Sequence, residues 1–80
     1  MEHRTTTDLR VLATAAKGEM IGDRQIYHAS YRILDEQGEV VETFLGTAPF
    51  DSVASAFKEA SALGTERKRA IAEAFGALEG

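Results

Sequence analysis

The side chains that could carry catalysis are few, because the 80-residue chain contains two histidines and no cysteine. His3 lies in a polar N-terminal segment, and we predict no role for it. His28 and Ser30 stand two residues apart, a spacing that would place them on one face of a strand. A serine nucleophile also needs a carboxylate to orient the histidine and donors for the oxyanion, and the sequence has no Gly-x-Ser-x-Gly turn. We therefore predict no catalytic residue and no enzymatic activity.

Acidic residues cluster around one predicted turn, at Asp35, Glu36, Glu39 and Glu42. Calcium requires about six to eight oxygen ligands in a defined loop, and this spacing does not match an EF-hand. The absence of cysteine excludes a thiolate zinc site, and the chain lacks a Gly-x-x-x-x-Gly-Lys-Ser/Thr phosphate loop. We predict no metal and no cofactor, and we interpret the acidic turn as solvent-exposed. A docking surface for a basic partner is the alternative.

Three consecutive basic residues, Arg67, Lys68 and Arg69, form the other chemical signal. Together with Ala60 and Gly64 ahead of them, they resemble a helix-turn-helix. In that family a small residue and a glycine turn precede the helix that enters the major groove. The resemblance covers only this short segment, and it implies that the three basic residues bind nucleic acid.

Two observations oppose nucleic-acid binding by this segment. Glu59 and Glu73 occupy positions where the helix-turn-helix pattern expects apolar residues. The chain carries 9 Lys and Arg against 13 Asp and Glu, for a net charge of −4. Because cationic contacts to phosphates supply most of the non-specific affinity for nucleic acids, we keep nucleic-acid binding as the alternative function.

The clearest predicted element is a β-hairpin over about residues 25–45. Side chains alternate between two faces along residues 25–34, and a turn over residues 35–38 ends in Gly38, which can adopt the left-handed conformation of a bulged turn. The register that follows places Tyr31 opposite Thr43 and Arg32 opposite Glu42. One predominantly apolar face then comprises Tyr27, Ala29, Tyr31, Ile33, Val41, Thr43 and Leu45.

The segments on either side of the hairpin complete the predicted fold. Residues 8–16 fit either a strand or a helix, and we favour a strand that pairs with residues 25–34. Helices are predicted over 51–63, with Asp51 as the N-cap, and over 66–78, with Gly64 and Thr65 at their junction. Met20 and Ile21 are expected to fold inward.

We predict one α+β domain over residues 1–80, with residues 1–6 expected to fray. A small antiparallel sheet of two or three strands carries both C-terminal helices on its apolar face. The helical periodicity assigns further side chains to the core: Phe50, Val53, Phe57, Ile71, Phe75 and Leu78.

Two helices can cover one face of a small sheet, so the second face is predicted to contact a protein partner. On that face the register brings apolar, aromatic and arginine side chains together, as protein interfaces do: Ile26, His28, Arg32, Glu42 and Phe44. We expect a small acidic non-catalytic module that regulates or inhibits a larger assembly. Small acidic phage-type inhibitor proteins are similar to it in size and charge.

The partner is expected to be a protein whose identity the sequence does not reveal, and a homodimer remains open. The absence of a long apolar run predicts no membrane contact. The absence of cysteine and of a signal peptide favours the cytoplasm.

Overall fold

The computed structural model describes the backbone of residues 8–79 and the side chains of residues 8–74. Its elements follow in the order β1 (Arg10–Ile21), β2 (Arg24–Leu34), β3 (Val40–Leu45) and α1 (Val53–Glu79). The strands form one antiparallel sheet in the order β1-β2-β3. The predicted α+β class and the antiparallel sheet are therefore confirmed, whereas the expected fraying of residues 1–6 lies outside the described residues.

The ambiguous N-terminal segment is a strand, as favoured by the sequence. β1 pairs with β2 from Arg10 opposite Leu34 to Lys17 opposite Tyr27. Its alanines have a high helix propensity, but pairing along the whole of β2 outweighs that local preference. A tight turn joins the two strands, and Gly22 occupies the left-handed region there with a φ of 66°.

The turn between β2 and β3 also forms as predicted. Gly38 has a φ of 84°, and the Asp35 carboxylate accepts hydrogen bonds from the backbone N–H groups of Gln37 and Glu39, both at 2.9 Å. The first pair, Leu34 opposite Val40, has the predicted register. The acidic turn therefore uses one of its carboxylates to hold its own backbone.

Beyond this first pair the predicted register is wrong by one residue. A β-bulge follows Val40, so Tyr31 lies opposite Phe44 and Arg32 lies opposite Thr43. A shift of one residue exchanges the two faces of a strand. Glu42 and Phe44 therefore lie on the side of the sheet that the helix covers, where the Tyr31 and Phe44 rings stack with centroids 5.1 Å apart.

The prediction of two C-terminal helices is also wrong, because α1 continues through Gly64 and Thr65. Gly64 is buried where the helix comes closest to the sheet, and a Cβ atom there would overlap the Val11 side chain and lie 3.4 Å from Cγ of Tyr31. The glycine thus permits close approach and does not end a helix. The helix begins with Ser52 as N-cap, since its hydroxyl accepts a hydrogen bond from the Ser55 N–H at 3.1 Å.

The core lies between the sheet and the helix. Its centre comprises Leu9, Tyr31 and Ile33, and partly buried apolar side chains pack around them: Val11, Phe44, Leu63 and Ile71. Tyr31, Ile33 and Ile71 were predicted core residues, and Phe50 is half-buried opposite Tyr27.

Two helical side chains that were predicted to lie in the core are on the surface. The helix buries Ala56 and Ala60, whereas Val53 and Phe57 are 52% and 49% exposed. The predicted burial of these two side chains is therefore wrong. Met20 and Ile21, expected to fold inward, also lie on the surface. The predicted core side chains Phe75 and Leu78 lie outside the described residues.

Candidate functional site

The helix lies against β1 and β2 on one side of the sheet, and the opposite side, which we call the open face, carries no element of the described chain. Cross-strand partners share a face of a sheet, so the pairing defines its rows. From one end to the other these rows are Arg10–Leu34–Val40, Leu12–Arg32–Thr43, Thr14–Ser30–Leu45 and Ala16–His28.

The open face combines exposed apolar side chains with positive charge. Leu12, Val40 and Leu45 are 44%, 54% and 65% exposed. Arg10 and Arg32 are also exposed, and no residue of the four rows is acidic. The charge of this face is therefore opposite in sign to the net charge of −4 of the whole chain.

The five predicted partner-binding residues do not share one surface. Ile26, His28 and Arg32 alternate with the core residues of β2, but Ile26 is buried, His28 is half-buried and Arg32 is exposed. Glu42 and Phe44 lie on the helix side because of the bulge. Arg32 is thus the one predicted residue that remains in the exposed centre of the open face.

The His28 side chain connects three neighbouring segments of the chain. Its Nδ1 atom donates a hydrogen bond to the backbone oxygen of Ala48 at 3.0 Å in the tautomer that this contact requires. The imidazole ring packs on Gly18, where a Cβ atom would lie 2.8 Å from the ring. The ring therefore joins β2 to the irregular part of β1 and to the segment that follows β3. The backbone oxygen that holds His28 takes the place of the carboxylate that a serine nucleophile would need beside it.

On the helix side, a polar cluster of Tyr31, Glu42 and Arg67 links β2, β3 and α1. Oε2 of Glu42 accepts a hydrogen bond from the Tyr31 hydroxyl at 3.2 Å and another from Nε of Arg67 at 2.7 Å. The bond from Arg67 holds the pKa of the Glu42 carboxyl below its ordinary value. Burial, reinforced by the Glu42 charge, raises the pKa of the Tyr31 phenol.

The lowered pKa of Glu42 predicts a pH-dependent contribution to stability. A carboxyl with a lower pKa in the folded state stabilises the fold above its unfolded pKa and loses that contribution as the pH falls through its folded pKa. We expect Glu42→Gln to flatten the acid side of the stability profile, measured by urea unfolding between about pH 7 and about pH 3. Glu36→Gln, in the exposed turn, is the matched control, and equal profiles for the two variants would contradict the cluster.

The predicted nucleic-acid-binding residues lie in the middle of a continuous helix, so the turn of a helix-turn-helix is absent. Arg67 is paired with Glu42, and Nη1 of Arg69 lies 3.8 Å from the carboxylate of Glu66. Lys68 is half-buried beside β1. The three residues therefore do not form a continuous basic surface.

The described part of the chain holds no group of three or more His, Asp or Glu side chains placed to bind a metal ion.

Between β1 and α1 runs an open groove of about 450 Å³, and Phe57, Ser61, Thr65 and Lys68 form its helical wall. A second groove, of about 320 Å³, lies between β3 and α1 beside Phe44. Within the described residues, no helix combines the length and apolar character that a membrane crossing requires.

Comparison with known proteins finds no matching family model, curated protein or solved structure.

Proposed function

We propose that this chain is a small non-catalytic protein-binding module that docks on a larger assembly as a regulator or inhibitor. The observation that carries the proposal is the open face, on which exposed Leu12, Val40 and Leu45 surround Arg32. Apolar side chains around an arginine match the composition of protein interfaces, where arginine is enriched and central contacts are desolvated.

The partner surface is expected to be acidic with an apolar centre. Arg10 and Arg32 supply two positive charges, and the four rows contain no carboxylate, so an acidic partner gains attraction without repulsion from these rows. Such complementarity accelerates association and selects the partner more than it raises affinity. Binding should therefore weaken with increasing salt concentration.

A protein partner fits the molecule better than a nucleic acid. Contact with phosphates gives exposed Leu12 and Leu45 no favourable binding free energy, whereas contact with an apolar protein surface removes them from water. Of the basic residues on the helix, Arg67 and Arg69 lie beside carboxylates of this chain. The net charge of −4 adds long-range repulsion from a polyanion.

The proposal predicts that Arg32→Glu and Leu45→Ser each lower recovery of a protein partner by at least about tenfold, equivalent to 1.4 kcal/mol. The measurement is quantitative affinity capture from nuclease-treated native lysate, followed by titration of the recovered protein with each variant. Because Arg32 and Leu45 are exposed on the sheet surface, both variants should unfold at nearly the wild-type temperature.

Lys58→Glu on the outer surface of the helix is the matched control and should bind as the wild type does. A partner retained equally by all variants would show that the open face is not the site. If nuclease treatment abolishes capture of the protein, and the chain binds a labelled DNA duplex or RNA tightly, the chain has a nucleic-acid-binding function and the proposal is wrong.

A further inference from the structure

β1 is an edge of the sheet, and its outward backbone N–H and C=O groups have no neighbouring strand in the described chain. Natural edge strands are usually protected by charged residues, prolines, bulges or short length. β3, the other edge, is six residues long and contains both a bulge and Glu42. β1 is twice as long, and its stretch 11–16 contains neither charge nor proline.

We propose that two copies of this chain pair antiparallel through β1 and form one continuous six-stranded sheet. In this arrangement a two-fold axis perpendicular to the sheet passes beside Thr14, so that each Thr14 faces that of the second copy. Both helices then lie on the same side of the sheet. The chain thus completes the uncharged stretch 11–16 of its edge with the same stretch of a second copy, as isologous dimers do.

The position of the helix suits this pairing. A Cβ atom added at Gly64 would meet both Val11 on β1 and Tyr31 on β2, so the helix runs above the space between these strands at this point. Neighbouring strands lie about 4.8 Å apart, which places the helix about 5 Å from the two-fold axis. The two helices would therefore be about 10 Å apart, close to the 8–10 Å at which helices pack.

The groove between β1 and the helix contains both a projecting side chain and room to receive one. Phe57 is 49% exposed at the groove, and the small residues Ser61 and Thr65 follow at intervals of one helical turn on the same wall. A two-fold axis near this wall brings Phe57 of each copy onto Ser61 of the other. The pairing thus covers Phe57, the one aromatic side chain among the described side chains of the helix.

The charges of β1 also favour an antiparallel copy. Arg10 lies at one end of the strand, and Lys17 and Glu19 lie near the other, all with exposed side chains. Pairing about Thr14 places Arg10 opposite Gly18 of the second copy, between its Lys17 and Glu19. Lys17 shares the helix side of the sheet with its partner Tyr27, whereas Arg10 shares the open face with Leu34, so Lys17 and Arg10 lie on opposite sides of the sheet. A parallel pair would instead bring like charges together. Two exposed ion pairs contribute little affinity, but they select the antiparallel orientation.

Cysteine cross-linking tests the proposed register, because the chain contains no native cysteine. Thr14→Cys should form a disulfide-linked dimer rapidly under mild oxidation, since residues facing each other across antiparallel strands have the Cα separation that a disulfide requires. Thr43→Cys, at an exposed position of β3, should remain largely monomeric. Equal cross-linking of both variants at micromolar concentration would overturn the proposed interface.

Charge exchange tests the orientation in solution by sedimentation equilibrium. Arg10→Glu and Glu19→Arg should each weaken self-association by at least about tenfold, because each reversal replaces both weak ion pairs with like-charge contacts, whereas an equimolar mixture of the two should restore a dimer. Arg32→Glu, away from the edge, should leave self-association unchanged. A wild-type chain that stays monomeric up to about millimolar concentration, or a mixture that restores nothing, would overturn the proposal. Neither result bears on the open face as a binding surface, so the two proposals fail separately.

Discussion

Replacing Ile33 with alanine should lower the free energy of unfolding by about 3–4 kcal/mol. Ile33 is 0% exposed and, among the large described side chains, is the one that is fully buried at the centre of the core. A domain of this size has roughly 5 kcal/mol of stability, so the variant should be close to unfolding at room temperature. Urea unfolding followed by circular dichroism measures the loss.

Ile33→Val keeps the test informative if the alanine variant does not fold, and it should cost about 0.5–1.5 kcal/mol. Val40→Ala, at an exposed position of β3, is the control and should stay within about 0.5 kcal/mol of the wild type. A loss below about 1 kcal/mol for Ile33→Ala would mean that the sheet and the helix do not pack as described.

Gly64→Ala should destabilise the chain by about 1–2 kcal/mol, although alanine is the better helix former. The added methyl overlaps Val11 and approaches Tyr31. Overpacking of this kind costs about 1–3 kcal/mol, against a gain of about 0.5–1 kcal/mol from helix propensity. Thermal and urea unfolding of the purified variant measure the net effect.

A double-mutant cycle identifies the cause. Val11→Ala removes the side chain that the new methyl would meet, so the double variant should be less destabilised than the sum of the single variants by about 1 kcal/mol. Ala62→Gly, at an exposed helical position, should lose about 1 kcal/mol from propensity alone. A Gly64→Ala chain more stable than the wild type would show that the helix does not approach the sheet closely at this glycine.

The hairpin could be predicted up to its first residue pair and no further. Side-chain alternation and the turn residues, with Gly38 at their end, determine Leu34 opposite Val40. The bulge that follows involves two successive valines, and no glycine or proline marks it in the sequence. The bulge stabilises the fold through contacts between residues distant in sequence, because it stacks Phe44 on Tyr31 and places Glu42 beside Arg67.

The single C-terminal helix also could not be predicted from local sequence alone. A glycine followed by a threonine in an alanine-rich segment is typical of a helix end and a new cap, and this pattern suggested two helices. Gly64 is instead required by the contact with Val11, which lies more than fifty positions away in the chain. The stripe of Val53 and Phe57 was assigned to the core for the same reason, because periodicity identifies an apolar side of a helix but not what covers it.

The sequence predicts an uncovered second face, but the structure places Glu42 and Phe44 on the helix side and buries Ile26. The expectation of an uncovered second face follows from the small number of elements, and Arg32 was placed on it correctly. Leu12 and Arg10 are absent from the predicted site because residues 8–16 fit a helix almost as well as the favoured strand. Alternation of Arg10, Leu12 and Thr14 was the signal that could have found them.

An NMR titration of the isotopically labelled chain with the protein it recovers from lysate tests the open face most directly. We predict that the largest backbone shift changes occur at Leu12, Arg32 and Leu45, in the central rows of the sheet. Amides on the outer surface of the helix, at Lys58 and Ala62, should change little. The largest changes at these helical positions, with the sheet unaffected, would contradict the assignment of the open face as the binding surface.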